Sequence, residues 1–130
     1  MAQLTERAVG IDLVSVDRVR RATNDTPGFL ERCFTTTERE LCATRHDPAE
    51  CYAARWAAKE AVVKCLGGAV GPVDLLDIGV VHLDDGAPAV ELSGHAAVRA
   101  RERGITSWLL SLSHTADSAV AIAIGLGSAP

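Results

Sequence analysis

The segment from Pro48 to Leu66 most constrains the fold, because its sequence indicates one long helix with defined ends. Asp47 is a favourable N-cap residue, and Pro48 suits the first helical position, where no backbone N–H is needed. Gly67 and Gly68 follow the last helical residue, as is typical of a helix C-cap. We therefore predict a fold built around one long central helix.

The segments on both sides of this helix carry strand and helix signals. Alternating, β-branched runs predict strands over residues 8–16, 77–83, 87–92, 107–114 and 118–126. Capping residues and prolines predict helices over residues 17–23, 27–33, 35–44 and 93–103. Two short turns, residues 84–86 and 115–117, join strand pairs as hairpins. The order predicts a single α+β domain over residues 1–130 with a mainly antiparallel sheet, and residues 125–130 as a frayed tail.

Composition argues against several classes of protein. A net charge of −4 is unlike the basic footprint of a nucleic-acid binder. The apolar runs are far shorter than the roughly 20 residues of a membrane helix, and we expect no membrane partner. No secretory leader pattern opens the chain, so we expect a cytoplasmic protein. The four cysteines have no zinc spacing and are expected to be reduced thiols that act as small hydrophobic residues.

The apolar residues are small. Alanine supplies 21 of the 130 residues, whereas aromatic residues make up 4% of the chain. A core of this kind holds little apolar bulk per residue, and we expect contacts between copies of the chain to complete it.

Asp12 lies in the middle of the first predicted strand, between Ile11 and Leu13. Aspartate is depleted in strands, and a buried carboxylate needs a cationic partner or a metal ion. Two interpretations remain open at this point. In the first, Asp12 is an edge-strand carboxylate that faces water or pairs with an arginine. In the second, it is a metal ligand.

The central helix carries a carboxylate and an ammonium group one turn apart, at Glu60 and Lys64. At about 100° per residue, both lie in one row with Trp56 beside an apolar face. The chain has 13 lysines and arginines, but only Lys59 and Lys64 are lysines. Lysine can release a proton more readily than arginine, so this choice indicates proton donation or phosphate contact near Glu60. The alternative is an ion pair on a solvated helix face.

His114 ends an apolar strand just before a turn. It is either a general base or phosphate ligand, or a turn histidine with an ordinary hydrogen bond. The glycines at 67, 68 and 71 lack the P-loop and dinucleotide patterns, and alone they indicate a helix cap. Two carboxylates, a lysine and a histidine suit Mg²⁺, which binds one or two carboxylates together with waters and substrate phosphates. The residues alone thus indicate Mg²⁺-dependent phosphoryl chemistry.

Four segments, in order along the chain, resemble the motifs of the holo-acyl-carrier-protein synthase family, the short single-repeat 4′-phosphopantetheinyl transferases. The segments are GIDLVSVDRV at 10–19, FTTTE at 34–38, RWAAKEAVVKCLG at 55–67 and LSLSH at 110–114. The resemblance implies transfer of phosphopantetheine from coenzyme A to a serine of an acyl carrier protein, with Mg²⁺ present and adenosine 3′,5′-bisphosphate released. It also implies a homotrimer that binds coenzyme A in clefts between subunits.

The resemblance also implies a role for each matching position. Asp12 and Glu60 match Mg²⁺ ligands, and Lys64 matches a lysine near the pyrophosphate. The other matches are Arg55 and His114 near the coenzyme A phosphates, Gly67 and Gly71 in the nucleotide loop, and Arg18 and Arg21 on the helix that meets the carrier protein. Arg45 and His46 would lie within reach of the 3′-phosphate. The serine proton would pass to His114 or to a water beside the metal ion, and the resemblance leaves that choice open.

Two other functions fit the same residues. One is a Mg²⁺-dependent hydrolase of pyrophosphate or nucleotides, with water as the nucleophile. The other is a non-catalytic module that binds coenzyme A or a carrier protein.

Overall fold

The chain alternates between strands and helices around one long helix. The computed structural model describes residues 3–67 and 73–129. Their elements are β1 (Leu4–Ser15), α1 (Val16–Asp25), α2 (Phe29–Cys33), α3 (Thr36–Ala43), α4 (Pro48–Cys65), a 3₁₀ turn (Leu75–Asp77), β2 (Ile78–His82), β3 (Pro88–Leu92), α5 (Gly94–Glu102), β4 (Ser107–His114) and β5 (Ser118–Ser128).

Both sheets are antiparallel. The larger has the strand order β1-β5-β4, and β2 pairs with β3 in a second, two-stranded sheet. The predicted hairpins at residues 84–86 and 115–117 are both present, because Leu83 N–H donates to Ala87 and Thr115 N–H donates to Ser118. The predicted α+β class is confirmed.

The helix α4 lies on one face of the larger sheet. Its N-terminus has the predicted cap, since the Asp47 side chain accepts a hydrogen bond from the Ala49 N–H. The alanines of both elements are buried against each other, and they are Ala57, Ala58 and Ala61 of α4 and Ala119, Ala121 and Ala123 of β5. Small side chains on both sides let the backbones approach closely, so the polar groups that α4 carries lie near those of the sheet.

A second apolar cluster forms along the N-terminal half of α4. The Phe34 ring centroid lies 4.7 Å from that of Tyr52, and the Phe29 ring centroid lies 5.7 Å from that of Trp56. These contacts hold α1, α2 and α3 against the first three turns of α4. The few aromatic residues of the chain are therefore concentrated where the three short helices meet the long one.

The ends of the chain form more sheet than the sequence indicates. β1 begins at Leu4 instead of residue 8, and β5 continues to Ser128, so the prediction of a frayed tail is wrong for residues 125–129. Leu4 pairs with Ser128 and Thr5 with Gly127, so the two ends hold each other in the sheet. The polar run from Thr5 to Arg7 does not alternate, which is why the sequence pattern missed it.

Two cysteines are joined, which corrects the expectation of four reduced thiols. Cys42, near the end of α3, and Cys51, in the first turn of α4, form a disulfide with a Cα–Cα distance of 5.4 Å. Cys33 and Cys65 are free. Spacing along the chain did not reveal the pair, because it depends on how α3 turns back onto α4. The expected cytoplasmic location loses the support of these two thiols.

One face of the larger sheet carries apolar side chains that residues 3–67 and 73–129 leave exposed. We call this the outer sheet face, and it comprises Val9, Ile11, Leu13, Leu109 and Ile122, whose exposed fractions run from 38% to 71%. Ile11 lies directly opposite Ile122 in the strand register, so these residues form one continuous patch. In the part of the chain that the structure describes, no helix has the length and apolar character needed to cross a bilayer.

Candidate active site

Asp12, Glu60 and Lys64 come together between β1 and α4. Asp12 and Glu60 line one cavity of about 400 Å³, which we call the carboxylate cavity. The Lys64 ammonium lies 3.3 Å from Asp12 Oδ1 and donates a 2.7 Å hydrogen bond to the Ile11 carbonyl. The predicted proximity of the three groups is therefore present.

The alternation of side chains along β1 and the glycine at position 10 bring Asp12 close to α4. Asp12 pairs with Ala121, whose side chain is buried under α4, so both face the helix and not the outer sheet face. A Cβ on Gly10 would collide with the Ala61 carbonyl oxygen, so a glycine is needed for β1 to pass this close to α4. Asp12 does lie in an edge strand, as one interpretation expected, but its side chain is only 19% exposed and its partner is a lysine of α4 instead of water or an arginine.

The two carboxylates repel each other. Burial raises the pKa of the Glu60 carboxyl, the negative charge of Asp12 raises it further, and Lys64 opposes both effects. Such a pair attracts a cation, because a positive ion between the two oxygens relieves the repulsion. Within residues 3–67 and 73–129 no group of three or more acidic, histidine or cysteine ligands is present. The pair therefore fits Mg²⁺, which needs one or two carboxylates when waters and substrate phosphates complete its shell.

The carboxylate cavity opens beside α1. Arg18 of α1 lines it, together with Phe29 and Trp56, and Arg21 lies exposed on the same helix. Positive charge on α1 therefore borders the entrance to the two carboxylates.

A second group of cationic side chains lines a separate cavity of about 480 Å³. We call it the arginine cavity, and its charged or titratable lining residues are Arg45, His46, Asp47, Glu50, Arg55, His82 and His114. Arg55 is 6% exposed, and its Nη1 donates to the Cys51 carbonyl. Burial lowers the pKa of the Arg55 guanidinium, and Arg45 lowers it further. Two arginines that line one cavity suit the binding of an anion, and the two carboxylates of the lining contact other side chains, Asp47 with Arg20 and Glu50 with His114.

His114 belongs to the arginine cavity, where its Nδ1 lies 3.4 Å from Glu50 Oε1. Among the described residues, the two cavities have no lining residue in common. Within one chain the structure therefore brings His114 together with Arg55, and it does not bring His114 together with Asp12 and Glu60.

Lys59 does not share the role inferred for the two lysines. Its side chain is fully buried, and its ammonium lies 2.8 Å from Glu38 Oε1 and donates to the Leu75 and Ile78 carbonyls. The inference of phosphate contact or proton donation is wrong for Lys59, because the rotation of about 100° between it and Glu60 turns its side chain away from the carboxylate cavity and towards Glu38.

The glycine-rich loop after α4 is described only at its start. Gly67 follows α4 with a φ of +97°, a conformation that favours glycine. Gly68 and Gly71 lie outside the described residues, so the predicted role of Gly71 stays a prediction.

Comparison with known proteins identifies the family. Residues 8–123 match the model of the 4′-phosphopantetheinyl transferase superfamily. The chain belongs to this superfamily. A holo-[acyl-carrier-protein] synthase of Desulforudis audaxviator is 50% identical over 120 residues, which cover 92% of each chain. Both the predicted family and the predicted class of enzyme, a phosphopantetheinyl transferase, are confirmed.

Two solved structures of phosphopantetheinyl transferases resemble the whole fold. Holo-ACP-synthase from Plasmodium yoelii has a TM-score of 0.85 at 26% identity, covering 98% of this chain and 99% of that one. A holo-(acyl-carrier-protein) synthase from Bacillus anthracis, in complex with CoA (3′,5′-ADP), has a TM-score of 0.77 at 30% identity, covering 95% and 98%. The predicted α+β transferase fold is thus confirmed.

Three residues of this transferase fold escaped the sequence reasoning. Glu38 had a visible signal, since Thr35 and Glu38 have the spacing of a capping box and form one in the structure, but its second bond to Lys59 was not foreseen. Glu50 and His82 had no signal, because each lies in an ordinary-looking element. They become neighbours of the site only when α4, β2 and β4 assemble around the arginine cavity.

Proposed function

We propose that the chain transfers the 4′-phosphopantetheine group of coenzyme A to a serine hydroxyl of an apo acyl carrier protein. The reaction depends on Mg²⁺ and releases adenosine 3′,5′-bisphosphate. The observation that carries the proposal is that Asp12 and Glu60 line one cavity and that the Lys64 ammonium lies 3.3 Å from Asp12 Oδ1. The family of the chain and the coenzyme A complex of the Bacillus anthracis relative support the substrate.

The carboxylate cavity is where the bond exchange would occur. The serine hydroxyl gives its proton to a water molecule, its oxygen forms a bond to the phosphorus that bears the pantetheine arm, and the bond from that phosphorus to the bridging oxygen breaks. Asp12 and Glu60 would hold Mg²⁺, which neutralises charge on the pyrophosphate oxygens in the transition state. Lys64 adds a positive charge beside the same oxygens and can protonate the leaving phosphate. The leaving group takes the electron pair as adenosine 3′,5′-bisphosphate.

The arginine cavity would hold the nucleotide end of coenzyme A. Arg45, Arg55 and His114 supply donors there, and His114, with its contact to Glu50, is better placed to orient phosphate than to accept the serine proton of its own chain. A ligand that engages both cavities is easier to accommodate where two chains meet. We therefore propose clefts between subunits, in which one chain supplies the arginine cavity and its neighbour the carboxylate cavity.

The outer sheet face supports the proposed homotrimer. A continuous apolar patch on a sheet is typical of an interface between subunits, and three copies of this face would bury it. The alanine-rich interior fits the same arrangement, since burial between chains adds apolar contact that the core of one chain lacks.

We expect Ile11→Glu to separate the trimer into folded monomers with little transferase activity. The reason is that it places a charge at the centre of the outer sheet face, opposite Ile122. Sedimentation velocity measures the mass, and carrier modification measures the activity. Val98→Glu, the same kind of change at an exposed position of α5, is the matched control and should stay trimeric. A trimeric Ile11→Glu variant would contradict the proposed interface.

A transfer assay tests the proposed reaction. Incubation of the chain with coenzyme A, Mg²⁺ and a small panel of apo carriers should raise the mass of at least one carrier by one phosphopantetheine group. Chelation of the metal should stop the reaction.

The double variant Arg18→Glu with Arg21→Glu should weaken carrier binding by lowering the association rate constant, because acidic carriers are attracted to basic patches.

The outcomes of this assay separate the three functions. Consumption of coenzyme A without a carrier would favour the hydrolase. If the chain binds coenzyme A but consumes none of it with any carrier of the panel, the result would favour the binding module. The preferred carrier follows from the panel, and cytoplasmic location stays a prediction.

A further inference from the structure

Arg55 is buried with part of its hydrogen-bonding capacity unused. Its side chain is 6% exposed, and its Nε finds no hydrogen-bond partner among the residues that the structure describes. Arginine has donors only and stays charged, so a buried guanidinium in this state is costly until an acceptor arrives. An anion in the arginine cavity would supply that acceptor.

His82 is the residue that Arg55 reaches across the cavity. Arg55 Nη2 and His82 Nε2 are 3.4 Å apart, and His82 is exposed at the end of β2. Because the guanidinium can only donate, a hydrogen bond between these two atoms has His82 Nε2 as its acceptor and a neutral imidazole ring. Partial burial lowers the pKa of the His82 imidazole, and Arg55 and Arg45 lower it further. Geometry and charge thus agree on a neutral His82 before a ligand binds.

The carboxylates near His82 each contact another side chain. Glu38 of α3 pairs with Lys59, Asp47 with Arg20, and Glu50 of α4 with His114 of β4. The remaining titratable groups are His46 in the segment before α4, and Asp84 and Asp85 in the hairpin that follows β2. Asp85 accepts a hydrogen bond from the Ala87 N–H, within its own turn. In the described part of the chain, Arg55 and His82 therefore face each other without a salt-bridged anion between them.

Coenzyme A has a pyrophosphate and a separate phosphate monoester, and the chain has two separate cavities. Its pyrophosphate belongs with the carboxylates and Lys64, since a hard divalent cation binds pyrophosphate oxygens. The phosphate that remains for the arginine cavity is the monoester on the ribose, which carries up to two negative charges. A phosphate oxygen between Arg55 and His82 would accept from both, and the added negative charge would favour the protonated imidazole.

We propose that His82 and Arg55 together bind the 3′-phosphate of coenzyme A, with His82 taking up a proton as the phosphate binds. This inference rests on the proposed function for the identity of the ligand. His82 lies outside all four motifs by which the sequence resembles its family. It adds a contact that distinguishes coenzyme A from 3′-dephospho-coenzyme A.

Calorimetric titration with these two ligands tests the inference. In the full chain with Mg²⁺, we expect His82→Asn to weaken coenzyme A binding about 10- to 100-fold, the range of one hydrogen bond to a charged group. Binding of 3′-dephospho-coenzyme A should change by less than about threefold, because that ligand lacks the contact. Titrations in two buffers of different ionisation enthalpy count the protons taken up. Proton uptake should fall in the His82→Asn variant.

Two further variants sharpen the test. His82→Arg supplies a fixed charge, so it should keep the preference for coenzyme A while losing the proton uptake. His95→Asn, at an exposed position of α5, is the matched control and should behave as wild type.

The outcomes keep the two proposals apart. A working transferase whose His82→Asn variant keeps both the preference and the proton uptake would overturn the phosphate site alone. Equal weakening of both ligands would also overturn it, since that result indicates a structural role. If the chain modifies no carrier, but His82→Asn still weakens the binding of coenzyme A and not that of 3′-dephospho-coenzyme A, the proposed function would be overturned and the phosphate site supported.

Discussion

Replacing Glu60 with glutamine should lower the rate of transfer by about 100- to 1000-fold while the fold stays intact. The amide keeps the size of the side chain but removes one of the two charges that would hold Mg²⁺. Losing one electrostatic contact to the reacting group costs about 3–4 kcal/mol in comparable sites, and each 1.4 kcal/mol is about tenfold in rate. Carrier modification under single-turnover conditions, measured across a range of Mg²⁺ concentrations, gives the effect directly.

Glu40→Gln is the matched control for this variant. Glu40 lies exposed on α3, so the same chemical change there should leave the rate and its Mg²⁺ dependence at wild-type values. A Glu60→Gln variant with a normal rate at ordinary Mg²⁺ concentration would contradict the assignment of Glu60 as a ligand.

The same variant should be at least as stable as the wild type when no Mg²⁺ is present. Because burial and Asp12 raise the pKa of Glu60, its ionised form is less favourable in the folded state than in the unfolded chain. Below the ordinary carboxyl pKa, Glu60 is protonated in both the folded and the unfolded state, and the free energy of unfolding has its full value. As the pH rises through the higher pKa of the folded state, that free energy falls. Glutamine avoids that loss at neutral pH, so thermal unfolding without metal should show an unchanged or higher midpoint.

Glu38→Ala should have the largest effect on stability, a loss of about 3–5 kcal/mol. It would leave the Lys59 ammonium fully buried without its ion pair, and it would also remove the acceptor of the Thr35 and Val80 N–H groups. For a domain of this size the loss corresponds to a fall of roughly 10–20 °C in the unfolding midpoint. The measurement needs one fixed protein concentration, because association shifts the midpoint.

A second variant separates the buried charge from other effects of truncating the side chain. Glu38→Met combined with Lys59→Met removes both charges, and its stability should lie well above that of Glu38→Ala. Glu40→Ala, on the exposed side of α3, is the control and should change stability by less than about 0.5 kcal/mol. If Glu38→Ala loses no more stability than Glu40→Ala does, the buried Lys59 ammonium does not depend on its ion pair with Glu38.

The central helix and its ends were predictable because they depend on local chemistry. Asp47, Pro48 and Gly67 mark the bounds of α4, and its row of Trp56, Glu60 and Lys64 follows from the helical repeat alone. The meeting of Asp12 with this row was expected only from the family resemblance. It depends on Gly10 admitting the helix and on the strand register that turns Asp12 towards it.

Contacts between distant segments were not predictable in the same way. The Cys42–Cys51 disulfide, the Glu38–Lys59 pair and the Arg55–His82 contact each join residues whose proximity depends on tertiary packing. Lys59 is the clearest case. Its type suggested chemistry, whereas its position on the helix, read with a rotation of about 100° per residue, already separates it from Glu60.

The placement of both functional groups on α4 has a consequence for mixed assemblies. Arg55 and Glu60 are five residues apart, a rotation of about 140° beyond a full turn, so one helix presents them in different directions. In the proposed trimer each α4 therefore serves two neighbouring reaction centres. One subunit with a defective α4 would inactivate two of the three reaction centres of its trimer. A minority of defective chains would therefore lower the transferase activity by more than their fraction of the total.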